Sequence, residues 1–259
     1  MANDYRFENE DGILTLTFTR DQKLNAISTE MVDAVREAVF QLGNDPEARV
    51  LVITAEGRFF SAGLDISQMP PERDKSGVTL RRIYRNLHLI FDEMEAIEKP
   101  IILAAQGPCL GVGLEMASSV DFRFASPRTY FSLPEIITLG VIPGSGGISR
   151  FTRLVGPHWA RWVAMAGKSI PAEQAKTIGL VHDVFEEDVF AESVQAFARD
   201  LRGLSKEALG LAKIAIDTAA SADKITARNV DRMANTLLFK TEEYTNSVNA
   251  FNARSSKKS

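Results

Sequence analysis

The chain has 259 residues, 45% of them hydrophobic, which is enough to bury a full core without disulfides or metals. A formal net charge of -4 argues against broad nucleic-acid binding, and the single cysteine, Cys109, excludes an internal disulfide and favours a reducing compartment, read here as cytoplasmic. Three histidines, His88, His158 and His182, show no metal-ligand spacing, and no apolar run approaches the roughly 20 residues that cross a bilayer, so neither a metal nor a membrane is expected.

Met1 to Asp11 is polar and acidic, unlike a signal or transit peptide. In the ILTLTFT segment Leu14, Leu16 and Phe18 alternate with threonines, the period of a strand. Met31, Val35, Val39 and Leu42 then form one helical face, with Ser28 as its cap and Gly43 as its expected end. Val50 to Ile53 is a buried strand. The Met69 to Gly77 stretch, with two prolines and a cluster of charges, is expected to be an exposed loop. Leu80, Ile83, Tyr84, Leu87, Ile90, Phe91, Met94 and Ile97 line a longer helix that Pro100 prevents from continuing, and Ile101 to Ala105 is the next strand. This alternation predicts an α/β fold.

Beyond about residue 155 the strand pattern fades. Helices are expected over 158–166, 172–178, 189–201, 205–219 and 224 to about 248, ahead of an ARSSKKS tail that is expected to fray. The division is therefore a core over residues 1–200 and a helical region over 201–259.

Three clusters place glycine or carboxylate where packing alone does not ask for it. In FFSAGLDIS, small residues let a ligand approach the backbone, and the Leu64 N–H is available to face it; an ordinary tight turn reads the same way. In GPCLGVGLEMA, glycines lead into a helix whose free N–H groups near Val112 suit an oxyanion, while Glu115 either does chemistry or complements the helix dipole. In FSLPEIITLGVIPGSGGISR, Glu135 follows Pro134 and precedes Ile136 and Ile137. It is either a solvent-facing loop residue or a buried carboxyl with a raised pKa. The glycine run lacks the Gly-Lys-Ser/Thr ending of a nucleotide loop.

Taken in order with KLNAIS (Lys23 to Ser28) and IPAEQAKTIGLVHDVF, these clusters resemble the enoyl-CoA hydratase/isomerase, or crotonase, family over nearly the whole chain. The resemblance implies a crotonase-like spiral of ββα units with a C-terminal helical trimerisation region, hence a homotrimer or homohexamer. It implies 2-enoyl-CoA hydration, with catalytic Glu115 and Glu135 and an oxyanion hole from the N–H groups of Leu64 and Val112. The acyl-CoA contacts it implies fall on Lys23, Ala26, Ala62, Gly63, Leu64, Asp65, Ile66, Ser67, Val112 and Pro134, and no cofactor is needed because coenzyme A is part of the substrate. Valine stands at 112 where relatives often have glycine, and serine at 67 where hydratases often have lysine. The alternatives are isomerisation or other acyl-CoA enolate chemistry on the same scaffold, and a non-catalytic RNA-binding relative, against which the acidic balance and the paired glutamates weigh.

Overall fold

The computed structural model describes residues 4–69 and 76–255. Most of the Met69 to Gly77 stretch, residues 70–75, lies outside the described residues, as do residues 256–259 of the tail. The chain divides into two units, Met1–Leu201 and Arg202–Ser259.

In the first unit β1 (Tyr5–Glu10) and β2 (Ile13–Phe18) form an antiparallel hairpin, and α1 (Thr29–Asn44) leads to β3 (Val50–Ala55), parallel to β2. Next, α2 (Gly77–Ala96) leads to β4 (Ile101–Ala105), parallel to β3. Then come β5 (Cys109–Leu110), α3 (Val112–Ala117), β6 (Phe122–Ala125), β7 (Tyr130–Ser132), α4 (Glu135–Thr138) and α5 (Ser149–Ala160). After them follow β8 (Ile170–Pro171), α6 (Ala172–Thr177), β9 (Asp183–Val184) and α7 (Phe190–Arg202). One sheet runs β1-β2-β3-β4-β6-β9, and a second runs β5-β7-β8.

The core lies along β2, β3 and β4, where Leu14, Leu16, Phe18, Leu51, Ile53, Ile101 and Leu103 are fully buried. Both faces of these parallel strands are covered, which is why β3 and β4 read as continuous apolar runs, and Thr17 is buried too. Ser28 caps α1 as expected, its Oγ accepting the Met31 N–H at 3.2 Å. Gly43 does not end that helix, which runs on to Asn44. A Cβ at Gly43 would lie 3.3 Å from Ile97 Cδ1, so this glycine lets the helix sit close to Ile97 instead of breaking it.

Two further expectations are corrected. The region beyond residue 155 is not purely helical, because β8 and β9 join the two sheets. Each has two residues, too few to carry a period.

The second unit contains α8 (Lys206–Ser221), α9 (Lys224–Leu238) and α10 (Glu242–Ser255), and α8 packs on α9. The single helix expected over 224–248 is thus two: the Thr241 hydroxyl accepts the Tyr244 N–H at 3.2 Å and caps a new start. Among the described residues of this unit, Gly210 alone is buried. No helix among the described residues is long and apolar enough to cross a membrane.

Candidate active site

Backbone pairing builds one wall of the site. Ile27 donates to the Gly63 carbonyl at 2.8 Å and accepts from the Asp65 N–H at 3.0 Å, so the intervening Leu64 turns its own N–H the other way. On the neighbouring segment, Leu110 N–H donates to Ser61 O and Gly111 N–H to Ser132 O, both at 2.9 Å. Gly111 then turns the chain into α3 with φ 53° and ψ -125°, a region in which a side chain is strained. Val112 begins the helix, where no intrahelical carbonyl awaits its N–H. Among the described residues, neither the Leu64 nor the Val112 N–H has a protein acceptor. A Cβ at Gly111 would lie 3.4 Å from Gly63 Cα, so the two segments meet through glycine backbone directly before each free N–H.

The facing wall carries two carboxyls. Glu115, in the first turn of α3, is 3% exposed, and its Oε2 accepts the Gly147 N–H at 3.2 Å. Burial above all, and then the neighbouring Glu135, push its pKa up to about 7, while the Gly147 N–H and Ser145 draw it back down. Glu135 opens the four-residue α4 directly after Pro134. Burial raises its pKa as well. Its Oε2 is buried without a hydrogen-bond partner, and its Oε1 would lie 2.9 Å from a Cβ on Gly111. Glu135 therefore closes against the backbone that presents the Val112 N–H.

The family model for enoyl-CoA hydratase/isomerase matches residues 8–258. The chain belongs to this family. It is 32% identical to a short-chain-enoyl-CoA hydratase of Clostridium acetobutylicum, over 96% of this chain and 94% of the relative. It is also 32% identical to a crotonyl-CoA hydratase of Syntrophomonas wolfei, over 94% and 93% respectively. The crystal structure of enoyl-CoA hydratase subunit I from Geobacillus kaustophilus superimposes with a TM-score of 0.90 at 30% identity, covering 97% of this chain and 96% of that one. The fold is the crotonase fold of that family.

Within this family framework, the remaining residues expected at the site fall into two groups. The Leu24–Ile27 strip runs beside Ala62–Asp65, with the Ala62 N–H donating to Leu24 O at 2.9 Å, which brings Ala26, Ala62, Gly63 and Asp65 together. Asp65 is tied by Ser67 Oγ at 2.6 Å and by Arg20 Nη1 at 2.8 Å, and these two partners, Ser67 first, hold its pKa below the usual range. The Ser67 hydroxyl is therefore committed inward. Lys23 is exposed at the end of a short 3-10 turn, and Ile66 is exposed as well.

Sequence reasoning missed Arg20 and Arg150. Arg20 also bonds the Ala26 carbonyl at 2.9 Å and so joins the two strips of the amide wall. Arg150 is buried three residues after the glycine run. A lone arginine closing that run was the available signal, but its carboxylate partners lie more than fifty residues earlier.

Proposed function

We propose that this protein adds water across the C2–C3 double bond of a 2-enoyl-CoA thioester to give the 3-hydroxyacyl-CoA. The observation that carries this reading is the meeting, in a member of this family, of two carboxyls with raised pKa and two backbone N–H groups without protein acceptors.

The thioester oxygen would accept from the Leu64 and Val112 N–H groups. As the water oxygen bonds to C3, the π pair moves through C2 onto that oxygen, and the two donors stabilise the resulting enolate; losing one such donor costs about 100-fold or more in rate. One carboxylate takes the proton from water and the other carboxyl delivers a proton to C2, so the net change is addition of H and OH. Glu115, brought to about 7 by burial and held by the Gly147 N–H, is poised to take up a proton near neutral pH and is assigned as the base. Glu135 has a buried oxygen with no donor, which favours the neutral form, and is assigned as the acid. Lys23, Ala26, the Ala62 to Ser67 strip and Pro134 would line the acyl-CoA path, and no cofactor is required beyond the coenzyme A of the substrate.

The named activities of the relatives make crotonyl-CoA the first substrate to offer. Glu115→Gln and Glu135→Gln are each expected to lower kcat by about 100-fold or more, read as loss of the enoyl absorbance. Near-normal turnover in both variants would remove the pair from the mechanism, and faster turnover of 3-enoyl-CoA than of 2-enoyl-CoA would replace hydration with isomerisation. A homotrimer or homohexamer is proposed as well, supported by the exposed Ile225, Met233, Leu237, Phe239 and Phe251 of the second unit. Light scattering after size exclusion should return three or six chain masses.

A further inference from the structure

The turn that presents its N–H to Glu115 is itself held from behind by a buried arginine. The Arg150 side chain is 4% exposed, and each face of its guanidinium fork is used. Nε donates to Glu95 Oε2 at 2.8 Å, Nη1 to the Ser145 carbonyl at 3.1 Å, and Nη2 to the Asp92 carboxylate. His88 completes the set. Its Nε2 lies 3.1 Å from the Gly144 carbonyl and must donate to it, so Nδ1, 3.4 Å from Arg150 Nη1, is left as the acceptor. The guanidinium also lies over the Phe91 ring, 5.8 Å from its centroid.

The glycines of PGSGG fit the same arrangement by the space they leave. A Cβ at Gly146 would fall 2.0 Å from Arg150 Nη1, and one at Gly144 would fall 2.5 Å from the Tyr84 ring. On the opposite side of the turn, a Cβ at Gly147 would fall 2.9 Å from Glu115 Cγ. The turn is thus a thin sheet of backbone with α2 side chains and Arg150 on one side and Glu115 on the other. Two consecutive carbonyls, Gly144 and Ser145, are pinned by His88 and Arg150, and two residues later the Gly147 N–H meets the carboxylate.

We propose that Arg150 is a positioning residue for hydration: by anchoring the Gly144–Ser145 backbone to Asp92, Glu95 and His88 of α2, it fixes the Gly147 N–H against Glu115 and so sets that carboxylate's orientation and readiness to accept a proton. This rests on the reading of Glu115 as a catalytic group. The charged or titratable groups around the arrangement are Glu135 of α4 facing Glu115, Tyr84 of α2 against Gly144, Asp92, Glu95 and His88 of α2 facing Arg150, and Arg153 of α5, which shares Glu95 at 2.8 Å. Arginine is required because a lysine ammonium lacks the planar fork that reaches two carboxylates and a carbonyl together.

The test is crotonyl-CoA hydration by Arg150→Lys, Glu95→Gln and Glu115→Gln across a pH range, with circular dichroism to certify the fold. The limb of the wild-type profile that Glu115→Gln abolishes is the limb set by Glu115. In Arg150→Lys that limb should move upward by about half a pH unit or more, because the N–H donation that favours the charged form weakens. In the same variant kcat should fall about 10- to 100-fold while KM changes less than about threefold. Glu95→Gln should shift the same limb in the same direction by a smaller amount, and it decides the matter if Arg150→Lys fails to fold. A folded Arg150→Lys with the limb in place overturns the proposal, whether its kcat is normal or merely reduced; if Arg150→Lys does not fold, an unmoved limb in Glu95→Gln does so. Near-normal turnover by Glu115→Gln would instead overturn the reading on which the proposal rests.

Discussion

The wall made by Leu64 and Val112 and the wall made by Glu115 and Glu135 are built by different physics. The first is backbone: its N–H groups are aimed by the Ile27 bridge, the Leu110 and Gly111 bonds and a glycine turn, and they carry no titratable proton. The second is side chain: burial raises the pKa values of both carboxyls, and the neighbouring Glu135 raises that of Glu115 further. A backbone wall is indifferent to pH and depends on side-chain identity only where glycine makes its turn, whereas a carboxyl wall is sensitive both to pH and to the identity of the side chains that form it. The departure at Val112 fits this contrast, since valine presents the same N–H that glycine would.

The largest expected effect comes where the walls touch. Gly111→Ala forces a Cβ to within 2.9 Å of Glu135 Oε1 at a backbone φ of 53°. It should therefore displace Glu135 and the Val112 N–H together, and on the proposed mechanism kcat on crotonyl-CoA should fall by about 100-fold or more. A variant that keeps its rate would show the walls to be mechanically independent.

Next in size is a stability effect confined to the carboxyl wall. Burial pushes the pKa of Glu115 up to about 7 in the folded chain, from an ordinary 4.5, so the folded state retains its proton longer than the unfolded one. Stability is therefore lost as pH rises from the lower value through the higher. Glu115→Gln should remove that penalty, making the variant more stable relative to the parent at pH 8 than at pH 5 by on the order of 2 kcal/mol. Denaturant midpoints at the two pH values would check it, and parallel curves would mean that the carboxyl is not perturbed.

The smallest effect on turnover should come from Val112→Gly, which retains the N–H. Turnover should change less than about threefold, while stability falls by roughly 2–3 kcal/mol because the Val112 side chain is buried in the core and its removal leaves a cavity. A large loss of kcat with the fold intact would show that the valine side chain, and not only its N–H, shapes the site.

Much of the framework was legible in the chain before folding was considered. Apolar runs marked β3 and β4, the four-and-three spacing of Met31 to Leu42 marked α1, and Ser28 marked its start. The glycine and carboxylate clusters singled out Leu64, Val112, Glu115 and Glu135 as candidates, and the structure brings their segments together. Gly43 misled because a glycine that ends a helix and one that admits Ile97 look alike in sequence. The two-residue strands β8 and β9 were invisible because pairing, not pattern, makes them strands. The break between α9 and α10 was missed because one threonine hydroxyl decides it.

What the sequence determined by itself was the set of local choices: which segments are apolar enough to be buried, where backbone can turn, and which carboxyls lie in apolar surroundings. These follow from side-chain chemistry over a few residues. Only the tertiary structure decided that Gly63 and Gly111 meet back to back, that Glu135 closes on Gly111, and that Arg150 grips Asp92 and Glu95 from the far side of the turn facing Glu115. Those contacts join groups separated by tens of residues, and their strength depends on exclusion of water, which exists only after the chain has closed around them.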